Sequence, residues 1–335
     1  MYRIQLPDAG DDLGTIIATL VTTQQASLLP PRYRPLIGML ASPSTSVDGQ
    51  QQVMSADLAS IEAVLAAGGE VRLIPVRLPA AREEAFELVL HTLLQFDGLL
   101  FSCSDSAIDP HLDGHENHAP LEGPESLLDW WMMLMALVAR ETLMPLFGIC
   151  RGAAQVQQAY GGTLRQQRPG HHLARGCAHT GVMHSLDLDP ERLALCVRGG
   201  NRMVPPDSLS SPDQGEEVLC LHLYELDIPA PGFLAWGWTG GKTVAWGYPG
   251  PSPWFALATL FHAEARMGAG QHNGLSPYLF EMYVRACRAY AGSLRQGLKS
   301  TRLRDRILRR LYADPLAQRF LPGHPVSNTH TIASS

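Results

Sequence analysis

The sequence is poor in charge and contains no long apolar run. Asp, Glu, Lys and Arg make up 17% of the 335 residues, against about 25% in an average soluble domain. Disorder goes with high charge and low hydrophobicity, so a chain that is 45% apolar is expected to fold. No stretch approaches the roughly 18 consecutive apolar residues of a membrane span. The acidic N-terminal segment lacks the basic flank and apolar core of a signal peptide. We therefore expect a folded cytoplasmic protein without membrane contact.

The chain also lacks paired cysteines. None of its six cysteines forms a CxxC pair, and their spacing suggests no disulfide framework, so free thiols are expected. Two histidine-rich segments, 111–118 and 171–179, show no spacing of a known metal site, which favours loops over the weaker zinc alternative. The sequence therefore predicts no metal. The cysteines are Cys103, Cys150, Cys177, Cys196, Cys220 and Cys287.

Positive charge is concentrated at the C-terminal end. Residues 299–335 hold seven basic side chains against Asp305 and Asp314, a balance of +5, which leaves −11 for the rest of a chain of net charge −6. This balance argues against a general nucleic-acid binder. The arginine-rich run 302–310 favours a solvated helix face or a surface docked on the acidic body, with lipid or RNA contact as the alternative.

Strand-like and helix-like segments alternate through the first half. Short apolar runs at 36–40, 71–76, 97–101 and 146–149 predict strands, and apolar stripes at 54–65, 86–93, 127–138 and 153–160 predict helices. The first stripe places Met54, Leu58, Ile61 and Leu65 on one helical face. This alternation predicts an α/β fold, a doubly wound and mostly parallel sheet between two helical layers.

The second half changes character. Shorter strand-like runs fill 182–261, Gly240-Gly241 predicts a hairpin, and 278–311 is mostly helical. We predict an N-terminal extension over 1–34, one main globular domain over 35–270 and a basic helical extension over 271–335.

The most informative segment joins a strand to a helix through a cysteine. Leu146–Ile149 runs into Gly-x-Cys150-x-Gly, and a helix follows at once, which is the form of a nucleophile elbow. The helix N-terminus favours thiolate, and the N–H of Arg151 points to where an oxyanion would form. A buried structural cysteine is the alternative.

A candidate base follows the last apolar strand. His262 and Glu264 are two residues apart, and on an extended strand end they would point to the same side. One could face Cys150 while the other supports it from behind. A surface His–Glu pair is the alternative.

These residues carry a family resemblance. The chain resembles class I glutamine amidotransferases, and among them the gamma-glutamyl-gamma-aminobutyrate hydrolases of peptidase family C26. The similarity extends over about residues 35–266 and rests on four segments in order, 60–75, 97–114, 147–152 and 255–264. The elbow and the His-x-Glu segment are the specific ones.

The resemblance implies a flavodoxin-like fold with a nucleophile elbow and a triad of Cys150, His262 and Glu264. It implies oxyanion N–H groups from Arg151 and from Cys103 or Ser104, and no metal or organic cofactor. It assigns substrate contacts to His222, Gln155, Tyr224 and Ser60. The chain departs from the family at Cys103, which replaces a glycine and raises the question of a positive φ, and at Cys220, Tyr224, Ser60, Leu260 and Ala263.

The activity that the resemblance implies is hydrolysis of a gamma-glutamyl amide, a small-molecule substrate. Two other activities stay open, that of a glutaminase subunit which donates ammonia and that of a gamma-glutamyl transferase. A non-catalytic binding protein on the same fold also stays open. A homodimer is left open as well, and no nucleic-acid partner is expected.

Overall fold

The computed structural model describes most of the chain as strands and helices around one sheet. The described residues are 33–45, 52–76, 84–103, 108, 126–166, 182–197, 216–220, 224–249, 254–265, 274–292, 295, 298 and 300–321. The helices are α1 (Leu58–Ala66), α2 (Ala85–Leu93), α3 (Ser126–Thr142), α4 (Arg151–Ala159), α5 (Pro190–Val197), α6 (Leu275–Gly292), α7 (Thr301–Ala313) and α8 (Pro315–Gln318). The strands are β1 (Leu36–Leu40), β2 (Ser42–Thr45), β3 (Gln52–Ser55), β4 (Glu70–Ile74), β5 (Gly98–Phe101), β6 (Leu146–Ile149), β7 (Thr163–Gln166), β8 (Val182–Leu188), β9 (Glu216–Cys220), β10 (Tyr224–Ile228), β11 (Leu234–Thr239), β12 (Lys242–Gly247) and β13 (Ala256–Thr259).

The main sheet has nine strands in the order β4-β1-β5-β6-β13-β12-β11-β8-β9. The first five are parallel, and the last four are antiparallel to their neighbours. The β11–β12 hairpin turns at Gly240 and Gly241, with φ of 54° and 76°, as the sequence predicts. The α/β prediction of a mostly parallel central sheet is confirmed.

Helices cover both faces of this sheet. The ring of Phe147 on β6 lies 5.4 Å from that of Phe280 on α6, whereas the next residue, Gly148, faces the start of α4. Neighbouring strand residues point to opposite faces, so α4 and α6 lie on opposite sides. β5, β6 and β13 are buried along their whole length, and their shared carboxyl edge is where such folds place ligands.

The first helix differs from its sequence pattern. It begins at Leu58, after Asp57 accepts a 2.7 Å hydrogen bond from the N–H of Ser60, and Met54 lies on β3 instead. Leu58 and Leu65 are 65% and 43% exposed. The predicted apolar face is therefore wrong, because smaller side chains fit the close approach to the sheet. The residues that α1 buries are Ser60, Ala63 and Val64.

The arginine-rich helix α7 packs on the body of the protein. Ile307 and Leu311 are buried, and Nε of Arg310 lies 3.1 Å from Oε2 of Glu141 on α3. The docking alternative for run 302–310 thus agrees with the structure. Within the described part of the chain, no helix has the length and apolar character needed to span a membrane.

Candidate active site

Cys150 occupies a strained turn between β6 and α4. Its φ of 53° and ψ of −110° lie outside the regions that L-residues usually adopt, which costs about 1–3 kcal/mol and requires support from the surroundings. Part of that support is a 2.7 Å hydrogen bond from the N–H of Cys150 to the carbonyl of Thr259 on β13. The bond ties the elbow to the strand that leads to His262.

The two glycines of the elbow are required by backbone contacts. A Cβ added to Gly148 would lie 2.7 Å from the carbonyl oxygen of Gly152, and one added to Gly152 would lie 2.1 Å from that of Phe101. The obstructing atoms are backbone and cannot rotate away. The geometry therefore requires a residue without a Cβ at both positions.

His262 and Glu264 form a buried pair through a turn. β13 ends at Thr259, and Glu264 lies in a 3₁₀ turn, so the expected extended strand end is wrong. The turn still brings Nδ1 of His262 to 2.7 Å from Oε1 of Glu264, with side chains 11% and 3% exposed. The N–H of His262 donates to the carbonyl of Leu219 at 2.8 Å. Phe261 forms an isolated antiparallel β-bridge with Cys220, the last residue of β9. The far edge of the sheet thus holds the histidine in place.

Negative and hydrogen-bonding neighbours dominate the electrostatics of His262. Burial by itself lowers the pKa of its imidazole. The charge on Cys150, the nearby thiols of Cys103 and Cys150, and the hydrogen bond with Glu264 outweigh burial and raise this pKa well above its ordinary value. The site therefore favours a protonated imidazole at His262, next to the Cys150 side chain.

Two further thiols lie close to this imidazole. Burial raises the pKa of Cys103 and that of Cys220 to about 11 each, so both stay protonated at neutral pH. Among the described residues, only Leu143 and Cys150 combine a side chain with a positive φ. Cys103 therefore replaces the family's glycine without left-handed backbone.

A buried ionic cluster lies behind the elbow, and it was not predicted from the sequence. The Arg151 guanidinium and the Gln155 amide both donate to Oδ1 of Asp129 on α3, and the three side chains are 3%, 0% and 1% exposed, respectively. The available signal was a single acidic residue, Asp129, inside the otherwise apolar stretch of 127–138. A buried charge of this kind requires a partner.

A small recess lies beside the elbow, at the carboxyl ends of β1 and β5. Its cavity volume is about 10 Å³, room for about one water molecule. Its lining residues are Leu40, Ser42, Ser102, Leu128, Met132 and Arg151. The recess lies where α/β folds bind ligands.

The structure does not show the residues predicted to contact substrate at one common site. Gln155 is buried in the cluster with Asp129, and Ser60 is buried in α1. The hydroxyl of Tyr224 accepts a 2.9 Å hydrogen bond from the N–H of Ile108. His222 and Ser104 lie outside the described residues, as do segments 111–118 and 171–179. The substrate roles stay predictions.

One group of side chains in the described chain has the composition of a metal site. A ligand atom from each of Cys103, His262 and Glu264 lies within 4.8 Å of the other two. The sequence predicted no metal.

Comparison with known proteins matches this sequence to a family. The sequence model of the family Peptidase C26 matches residues 35–264. A gamma-glutamyl-gamma-aminobutyrate hydrolase of Escherichia coli O157:H7 is 34% identical over 107 residues, 32% of this chain and 39% of that protein. The match thus spans well under half of that hydrolase.

A Mycobacterium tuberculosis protein, provisionally named a glutamine amidotransferase, is 27% identical over 267 residues, 77% of each chain. A crystal structure from Thermoplasma acidophilum, provisionally named a subunit of GMP synthase, has a TM-score of 0.47 at 14% identity, over 77% of this chain and 97% of that one. The family match covers more than two thirds of the 335 residues, from β1 to the glutamate of the His-x-Glu turn. The chain belongs to the Peptidase C26 family.

Proposed function

We propose that the protein is a cysteine hydrolase that cleaves the gamma-glutamyl amide bond of a small gamma-glutamyl amine. The observation that carries this proposal is the juxtaposition of three groups, with Cys150 on a strained elbow, His262 in electrostatic contact with it, and Glu264 at 2.7 Å from Nδ1. Nucleophile, base and orienting carboxylate are the parts that covalent catalysis requires.

The first half-reaction forms an acyl-enzyme. The Cys150 thiolate attacks the gamma-carbonyl carbon, and the carbonyl oxygen becomes an oxyanion. Because Nδ1 of His262 is held by Glu264, Nε2 is the nitrogen that gives its proton to the leaving amine. The C–N bond then breaks, which leaves a thioester on Cys150.

The second half-reaction consumes water. Neutral His262 removes a proton from a water molecule as it attacks the thioester, and the imidazolium then stabilises the Cys150 thiolate that leaves as glutamate is released. In this mechanism the backbone N–H of Arg151, the first residue of α4, holds the oxyanion, with a second donor from Cys103 or Ser104.

The substrate class is inferred from the chemistry of the site together with the sequence similarity to a named relative. A relative named gamma-glutamyl-gamma-aminobutyrate hydrolase shares 107 aligned residues with this chain, and this supports a gamma-glutamyl group as the acyl part. The leaving amine is left open, since the residues assigned to substrate contact differ from the family at Tyr224 and Ser60.

The test is turnover of a panel of gamma-glutamyl amines, with amine and glutamate both quantified. Cys150→Ala is expected to lower kcat at least about 10³-fold, and Glu264→Gln about 10²–10⁴-fold. Cys196→Ala is the matched control, because Cys196 is equally a free cysteine but contacts Leu234 and is not among the groups that shift the pKa of His262. Turnover that survives Cys150→Ala would refute the mechanism.

An amidotransferase role is the second candidate, favoured by the provisional name and the 77% coverage of the Mycobacterium tuberculosis relative. In that case glutamine, and not a gamma-glutamyl amine, would be the best substrate, and ammonia the product. Comparing kcat/KM for glutamine and for the amine panel separates the two. If neither class is turned over, the non-catalytic alternative gains support.

A further inference from the structure

We propose that Cys103, His262 and Glu264 form a binding site for a zinc ion that switches the enzyme off. The structure brings one ligand atom of each residue within 4.8 Å of the other two. In a tetrahedral zinc site with bonds of about 2.0–2.3 Å, ligand atoms are about 3.5 Å apart. No separation among the three ligand atoms exceeds 4.8 Å, so the longest would shorten by about 1 Å on zinc binding, and Nδ1 of His262 and Oε1 of Glu264, now 2.7 Å apart, would separate by about as much.

A second observation points to a cation at this place. Oε1 of Glu264 is held by His262, but the other carboxylate oxygen, Oε2, is buried and accepts no hydrogen bond from any described residue. The side chain is only 3% exposed. Buried carboxylate oxygens are normally satisfied, so one without a partner is a vacant ligand position or an acceptor for a group that binds.

The donor set selects the kind of ion. A thiolate, an imidazole nitrogen and a carboxylate oxygen are the three donor types that zinc takes, whereas Mg²⁺ and Ca²⁺ require oxygen ligands throughout. Zinc binding would release two protons to solvent, one from the Cys103 thiol and one from the His262 imidazolium. The resulting thiolate and the Glu264 carboxylate would together neutralise a divalent ion. Cys103 is partly exposed, so the site is open to ions from solution.

The consequence for activity rests on the proposed hydrolase function. Zinc would engage His262 and its orienting carboxylate, Glu264, and would thereby remove the group that protonates the leaving amine and later activates water. Binding itself does not depend on that function, and the two can be tested separately.

The binding test uses the full-length protein freed of metal with a chelator. Zinc affinity is measured by competition with a chromogenic chelator. Co²⁺ substitution adds a readout, since a thiolate ligand gives a charge-transfer absorption. Wild type and Cys150→Ser are expected to bind one ion each with similar affinity. Cys103→Ser is expected to bind at least about 100-fold more weakly and to lack the thiolate absorption. Mg²⁺ should not compete.

Cys196→Ser is the matched control and should bind zinc as wild type does. Cys103→Ala serves if the serine variant fails to fold. Equal affinity in the Cys103 variants would overturn the proposal, and so would loss of binding in Cys150→Ser, which would place the ion on the nucleophile. In activity assays, zinc should inhibit wild type over the binding range, and the residual activity of Cys103→Ser should resist it. Zinc binding by a protein that hydrolyses no gamma-glutamyl amide would refute the hydrolase proposal and leave this site standing.

Discussion

Replacing Asp129 with asparagine should destabilise the protein far more than the same change at an exposed ion pair. Asp129 is 1% exposed and is the partner of the Arg151 guanidinium, itself 3% exposed. Loss of one member of a buried pair leaves the other charge without compensation, which costs about 3–5 kcal/mol. Asparagine keeps the volume and one acceptor oxygen, so we expect a loss near 3 kcal/mol in the free energy of unfolding.

The matched control is Asp227→Asn. Asp227 pairs with Arg165 at 2.6 Å, but the Arg165 side chain is 72% exposed, and such pairs contribute below about 1 kcal/mol. Urea unfolding followed by tryptophan fluorescence measures both variants. If Asp129→Asn loses no more stability than Asp227→Asn, the buried cluster does not stabilise the elbow.

The same substitution should also affect catalysis. Arg151 supplies an oxyanion N–H in the proposed mechanism, and its side chain is anchored by Asp129. We expect kcat to fall about tenfold or more while KM changes little, because the oxyanion forms only in the transition state. A rise in KM with unchanged kcat would show that the anchor serves substrate binding instead.

Two further predictions concern the elbow. Gly152→Ala forces a Cβ to within 2.1 Å of the Phe101 carbonyl oxygen. The variant should lose about 1–3 kcal/mol or more in the free energy of unfolding, measured in urea, and should have no turnover. A stable and active variant would contradict the requirement for glycine. Iodoacetamide at pH 7 should alkylate Cys150 before Cys103, because burial raises the pKa of Cys103 to about 11 and keeps it a thiol. Peptide mass spectrometry gives the order, and labelling of Cys103 should speed up as pH approaches 11; preferential labelling of Cys103 at pH 7 would refute this.

The elbow could be predicted because its signals are adjacent in the chain. A strand, two small residues flanking a cysteine and an immediate helix occur within 146–152, and the backbone contacts of Gly148 and Gly152 explain that pattern. The prediction that His262 and Glu264 are the partners of Cys150 rested on the family resemblance and on the apolar strand before His262. The detailed geometry differed, since a 3₁₀ turn and not an extended strand brings Glu264 to the histidine.

Other features were decided by tertiary packing and left little trace in the sequence. The apolar periodicity of 54–65 gave the wrong face for α1, because small residues rather than leucines suit close packing on the sheet. Asp129 is 22 positions from Arg151, so nothing local connects them. Cys103 follows β5 and His262 follows β13. The two residues likewise come close only because both strands pair with β6, one on each side.

The hydrogen bond that holds His262 to β9 has a consequence for how the protein folds. Cys150 and His262 are 112 positions apart, and the histidine is held by Leu219 and Cys220 from the last strand of the sheet order. Contacts between such distant positions form slowly, since the intervening chain must first be ordered. Under the proposed mechanism, a partly folded chain in which β9 is not yet paired would carry the Cys150 thiol without a fixed His262 to act with it.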